Sequence, residues 1–192
     1  MSYEEAPQPA ARPNGPPVDE PLRLPQPCTL YLPKVEDARP NREFAGSYIF
    51  MLAAPGATPR GVQSVQSGDA AQWTRSALQS LQRYGFRTLE SAPASPDAAR
   101  QVSGDVSLRL AHGWSAGLNL VSHVVLRVTY HHAGEEVVRE YHGMGTRTNW
   151  NNGNGEYMAV LNLGIDEALR SMAADAAALC TGQPLQAQGS PL

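Results

Sequence analysis

The sequence predicts an α+β domain: an antiparallel β-meander with two long helices packed on one face. Three observations lead there. The segments 69–84 and 156–180 repeat apolar residues at three- and four-residue steps, the period of a helix. The segment 101–147 instead carries alternating apolar and polar residues, the pattern of half-buried strands. The order along the chain is strands, helix, strands, helix, so two helices are available to cover one apolar sheet face.

The elements follow in order. Half of the 16 prolines fall within the first 27 residues. That stretch cannot bury enough apolar surface to offset its ordering entropy, so 1–27 is expected to be a disordered leader ahead of a single domain over 28–180. "TLYLPKVED" (29–37) reads as the first strand, ended by Pro40. "GSYIFMLAA" (46–54) and "GVQSVQ" (61–66) are short β-prone runs with turn chemistry between them.

The first helix has Asp69 as its N-cap and Gln72 in the capping-box position. Trp73, Ala77, Leu81 and Tyr84 share its apolar face. Gly85 is placed for a left-handed stop, with Phe86 folding back on Leu81. "FRTLE" (86–90) is a short strand. In 101–114, Val102, Val106, Leu108 and Leu110 alternate with polar residues and are assigned to one face.

The runs 116–132 and 135–147 flank Ala133-Gly134, and a two-residue loop fixes their register. His132 then faces Glu135, His131 faces Glu136, Arg127 faces Glu140, Leu126 faces Tyr141 and Tyr130 faces Val137. Charges pair on one face and apolar groups on the other, so Leu126, Tyr130, Val137 and Tyr141 are assigned to the core. In the last helix Met158, Leu161, Ile165, Leu169, Met172, Ala176 and Leu179 form the buried stripe. The tail 181–192 is expected to fray.

Composition narrows the function. A net charge of −3 with no basic stripe argues against nucleic-acid binding. No apolar run is long enough to span a bilayer. The start, "MSYEEAPQPAARP", has neither a cationic nor an apolar region and does not read as a signal peptide. No nucleophile elbow, P-loop, HExxH or CxxC motif occurs, so no enzymatic activity and no cofactor are expected.

"VEDARP" closing the first strand, "GDAAQWTRSALQSLQRYGFRTLE" and "YMAVLNLGIDEALRSMAADAAAL" together resemble the YajG-like envelope lipoproteins of Gram-negative bacteria, over residues 29–180. The resemblance implies a small α+β domain without enzymatic activity. It also implies a place in the periplasm or on the periplasmic face of the outer membrane, with a protein partner there. Cys28 departs from that pattern: "LPQP" precedes it, where a lipoprotein cysteine follows an apolar run. A cytoplasmic module is therefore the alternative.

The candidate sites each have a plainer reading. Cys28 and Cys180 flank the ordered domain, and either form a disulfide in an oxidising compartment or remain two unpaired small residues. The loop "NWNNGNGEYM" (149–158) has too few carboxylates for calcium, and its Asn152 or Asn154 is placed to cap the last helix. Trp150 in that loop is a candidate partner contact. So are Asp37 and Arg39 at the end of the first strand, which can equally serve the turn itself. In the hairpin register His123 faces Met144 with His142 diagonal to it, a set that could hold a soft metal such as Cu(I), or simply polar residues on an exposed face. A sheet edge offers a route to a homo-oligomer.

Overall fold

The computed structural model describes residues 1–5, 24, 26–49, 62–91, 101–116, 118–132, 134–150 and 153–185. Its spine is a long strand in the middle of the chain, β5 (Gln101–Ala116). Before it come β1 (Cys28–Asp37), β2 (Phe44–Ile49), β3 (Val62–Gln66), α1 (Ala70–Gln79) and β4 (Phe86–Leu89). After it come β6 (Asn119–His132), β7 (Glu135–Thr148) and α2 (Asn154–Cys180).

These strands form one seven-stranded sheet, and the sheet is mixed. β5, β6 and β7 are antiparallel neighbours, as a meander requires. β1, however, runs parallel to both β4 and β5, and β2 meets β5 in parallel as well. The expectation of an all-antiparallel meander is corrected here. The physical reason lies in the connections. A two-residue turn reverses a strand, whereas a crossover through a helix returns it in the same direction. The chain between β1 and β4 contains α1, so β4 comes back parallel to β1.

Along one side of β5, β1 pairs with residues 101–108 and β2 with Gly113 and Trp114. Between these two partners β5 has a bulge, its register against β6 shifting between Leu108 and Leu110. A bulge adds one residue and reverses which face the following side chains take. Val102, Val106 and Leu108 are accordingly buried, but so are Ala111 and Gly113, while Leu110 turns to solvent. Strict alternation places Leu110 on the face of Val102, Val106 and Leu108, and the extra residue, Arg109, moves it to the other face.

The β6–β7 hairpin has the register read from its sequence. Leu126 lies opposite Tyr141, Tyr130 opposite Val137, Arg127 opposite Glu140 and His132 opposite Glu135. Gly134 supplies the turn's positive φ of 82°. The buried face of the sheet is continuous from Leu30 and Val35 through Val102, Val106, Leu126, Val128 and Tyr130 to Tyr141, and both helices pack on it.

α1 starts as predicted, with the Asp69 side chain accepting from the Gln72 N–H at 2.8 Å. Its last turn tightens to a 3₁₀ segment, Ser80–Tyr84, stopped by Gly85 at φ 90°. α2 is capped by Gly153 rather than by an asparagine side chain. It lies so close to β7 that a Cβ built on Gly143 would sit 1.9 Å from the Gly164 carbonyl oxygen. Deeper in the same interface Tyr130 and Tyr141 share a hydrogen bond of 3.0 Å, and Tyr141 donates to Asp175 on α2 at 2.9 Å. Burial pushes both phenols well above the ordinary tyrosine range, so they stay neutral donors.

Met1 and Tyr3 pack against the core. Tyr3 donates to Asp166 at 2.7 Å, and Glu5 pairs with Arg83 at 2.9 Å. Leu24 donates its backbone N–H to the Tyr84 carbonyl at 3.0 Å. Most of the proline-rich stretch, 6–23, lies outside the described residues. At the other end Leu185 also packs against the core.

Candidate functional site

The outer face of the antiparallel half of the sheet collects the residues with the most to offer a partner. Cross-strand pairing sets them in rows. Trp114 faces Val121, which faces Thr146. In the next row stand His112, His123 and Met144, and in the one after that Leu110, Val125 and His142. Below these, Ser107, Arg127 and Glu140 begin a polar half. The face is therefore divided into an apolar and imidazole-bearing end and a charged end.

Within the apolar end Trp114 is the hub. The His112 ring stacks beside it at 6.1 Å between centroids, and the His123 ring meets it edge-on at 5.2 Å. Partial burial pushes the His112 imidazole below its ordinary value, which keeps it neutral near pH 7. Leu110 is 37 % and Met144 55 % exposed, so large apolar groups stand open to solvent on the same face as the indole.

His123, His142 and Met144, the candidate soft-metal set, stand where the hairpin register places them. His123 does oppose Met144, but its ring packs on Trp114, and His142 sits one row away across from Val125. Among the described residues no three His, Cys, Asp or Glu side chains gather as a metal centre. The signal that would have found His112 and Trp114 is the β5–β6 register, which the bulge at Arg109 hides from simple alternation.

Asp37 and Arg39, the candidate contacts at the end of β1, are bonded to each other. Arg39 is buried, and its guanidinium binds both Asp37 oxygens at 2.8 Å. It also donates to the Arg42 carbonyl at 3.3 Å and to Ser67 Oγ at 3.1 Å. The pair holds the turn from β1 into β2 against the start of α1. Partial burial pushes the Asp37 carboxyl up, and the hydrogen bonds and charge of Arg39 more than offset this, so it ends below the ordinary carboxylate range. A depressed carboxyl stabilises the fold fully above its unfolded pKa, about 4. That contribution disappears as pH falls through the lower folded value. Asp37→Asn is expected to cost about 2 kcal/mol at pH 7 by leaving Arg39 buried without its counter-charge. Denaturant titrations from pH 7 down to pH 2 check both points: the gap between wild type and variant should close only below about pH 4.

Trp150 is 82 % exposed, in the turn before α2, with its backbone N–H bonded to Glu156 at 3.0 Å. The open edge of β7, a candidate route to oligomers, is stopped at one point: the Met144 N–H is taken by the Glu167 carboxylate of α2 at 2.7 Å. Cys28 and Cys180 are joined in a disulfide, their Cα atoms 6.3 Å apart. A cavity of about 40 Å³ lies between α1 and the β1–β4 edge, lined by Leu32, Val35, Arg75, Leu78 and Thr88 among others. That is well below the roughly 300 Å³ of a small-molecule site. No described helix is long and apolar enough to cross a membrane.

No family model matches the chain, and no curated protein matches it. Solved structures do. A candidate lipoprotein from Caulobacter crescentus is 16 % identical with a TM-score of 0.43, over 62 % of this chain and 89 % of that one. A Xanthomonas campestris protein described under DUF330 is 11 % identical with a TM-score of 0.45, over 82 % and 85 %. A hypothetical protein from Chlamydia trachomatis is 9 % identical with a TM-score of 0.46, over 82 % and 99 %.

Proposed function

We propose that the chain is a non-enzymatic binding or assembly module of the bacterial cell envelope, meeting a protein partner with the outer face of β5–β6–β7. The observation that carries this reading is the run of outer-face rows in which Trp114 and Val121, then His112, His123 and Met144, then Leu110 and Val125 set apolar groups alongside an indole and two imidazoles. Contiguous exposed apolar surface marks interaction sites, and Trp and Met are enriched at them. The envelope is supported by the Cys28–Cys180 bridge, a bond of oxidising compartments, and by the resemblance to YajG-like lipoproteins.

The test is photo-crosslinking in living cells of the native host. A photoreactive residue at position 123 should give an adduct of discrete mass, and one at exposed Arg170 on α2 should not. Trp114→Ala should lower the adduct yield about tenfold, the scale of an interface anchor. Thiols trapped with maleimide before lysis should show both cysteines protected. No adduct at 123 would sink the surface; two reactive thiols would sink the compartment and favour a cytoplasmic module.

A further inference from the structure

The cleft between the α1–3₁₀ segment and α2 is a built polar site on the helical side, away from the sheet face just described. Its walls carry Trp73, Arg83, Asn162 and Asp166. Trp73 Nε1 donates to Asn162 Oδ1 at 2.8 Å, which fixes the amide with its NH₂ free to donate. Arg83 donates to Asp166 at 3.1 Å. All four are largely buried, with Asn162 4 % and Asp166 7 % exposed. Buried polar groups of this kind are costly unless paired.

Residues 1–5 of the chain itself lie across the cleft. Met1 and Tyr3 turn inward while Ser2 and Glu4 are exposed, as when an extended peptide is read at every second residue, and Glu5 lies exposed at the rim. The Ser2 carbonyl accepts from Asn162 at 3.5 Å. The Tyr3 hydroxyl donates to Asp166 at 2.7 Å. Glu5 accepts from Arg83 at 2.9 Å. The Met1 ammonium donates to the Ser67 carbonyl at 2.9 Å, so the contacts are one ammonium donor, one backbone acceptor, one aromatic donor and one carboxylate.

The segment is a weak fit in one respect. Arg83 Nε is buried with no hydrogen-bond partner among the described residues, so the guanidinium is bonded only through its other nitrogens. A ligand with a better-placed carboxylate would use this third donor. In the sequence 18 residues, 6–23, separate the segment from Leu24. Release therefore leaves the disulfide-bounded domain covalently unchanged.

We infer that this cleft is a peptide-binding site for an extended partner segment carrying a tyrosine two residues before a carboxylate, and that Met1–Glu5 occupies it as a displaceable internal ligand. A tethered competitor acts at an effective concentration of about the millimolar order. A peptide that binds the open cleft with a Kd of tens of micromolar would then appear roughly 10- to 100-fold weaker on the closed chain.

The test uses the full chain and a fluorescein-labelled peptide, Met-Ser-Tyr-Glu-Glu. Anisotropy titrations should give at least tenfold tighter binding to a Tyr3→Ala, Glu5→Ala chain than to wild type, and a peptide with Phe in place of Tyr should lose most of the gain. A companion measurement does not depend on that variant's stability. On wild-type chain, millimolar peptide should shift the Trp73 indole N–H resonance, and Asp166→Asn should abolish the shift. Equal binding by the two chains, or no binding and no shift at millimolar peptide, overturns the inference. Neither outcome bears on adducts from the sheet face, so the two readings fail separately.

Discussion

Removing the Cys28–Cys180 bridge is expected to lower the unfolding free energy by about 4–5 kcal/mol. The cysteines are 152 residues apart in sequence, and the chain-entropy model assigns a closed loop of that length close to the upper end of disulfide effects. Little else ties these two ends so directly. Cys28 opens β1, a strand between β4 and β5, and Cys180 ends α2. At roughly 2–4 °C per kcal/mol for a chain of this size, the unfolding midpoint should fall by roughly 10–20 °C. The Cys28→Ala, Cys180→Ala chain is the right comparison, because Cys28 is buried and a lone serine there would add an unsatisfied hydroxyl. Denaturant curves of oxidised, reduced and doubly substituted protein measure the effect. A difference under about 1 kcal/mol would show that the unfolded chain is already held together by other means.

The second large effect is expected at Gly143. Its missing side chain is what lets α2 rest on β7: a Cβ there would meet the Gly164 carbonyl oxygen at 1.9 Å and the Ala168 nitrogen at 2.6 Å. Both are backbone atoms of a long helix, so nothing local can rotate out of the way. Gly143→Ala must lift α2 from the sheet and is expected to cost about 3 kcal/mol. The same lift would stretch the Tyr141–Asp175 hydrogen bond and open the layer beneath Leu161 and Ile165. Gly155 is the control: it is helical, no atom lies within 4 Å of its built Cβ, and alanine there should stabilise by about 0.5–1 kcal/mol. Thermal and denaturant unfolding of the two single variants compares them directly, and equal effects would remove the close-packing argument.

What the sequence made legible follows from local physics. The β6–β7 register was readable because a two-residue turn fixes every opposing pair, and Leu126, Tyr130 and Tyr141 are buried where that register puts them. The cap at Asp69 and the stop at Gly85 were readable because each depends on one side chain or its absence. The parallel pairing of β1 with β5 depends on contacts across more than seventy residues, and no local pattern encodes it. The bulge at Arg109 is invisible for a related reason. It is defined by what β6 does opposite it, and one extra residue was enough to move Leu110 out of the core and bring His112 beside His123. The docked Met1–Glu5 segment was masked by composition: proline content describes 1–27 as a block, while the five residues at its start carry their own complementary groups.

The bridge between the first strand and the last helix also has a mechanical consequence. The two ends of the domain are brought to one pole, 6.3 Å apart at their Cα atoms, and joined there by a covalent bond. Tension applied through the segments before Cys28 and after Cys180 passes across the sulfurs and does not load the strand ladder or peel α2 from its bed. Reduction would place that same load on β1, on its hydrogen bonds to β4 and β5 and on the packing of Leu30, Leu32 and Val35 in the core. The intact domain is therefore suited to serve as a rigid bead on a pulled thread, and its reduced form as an extensible one.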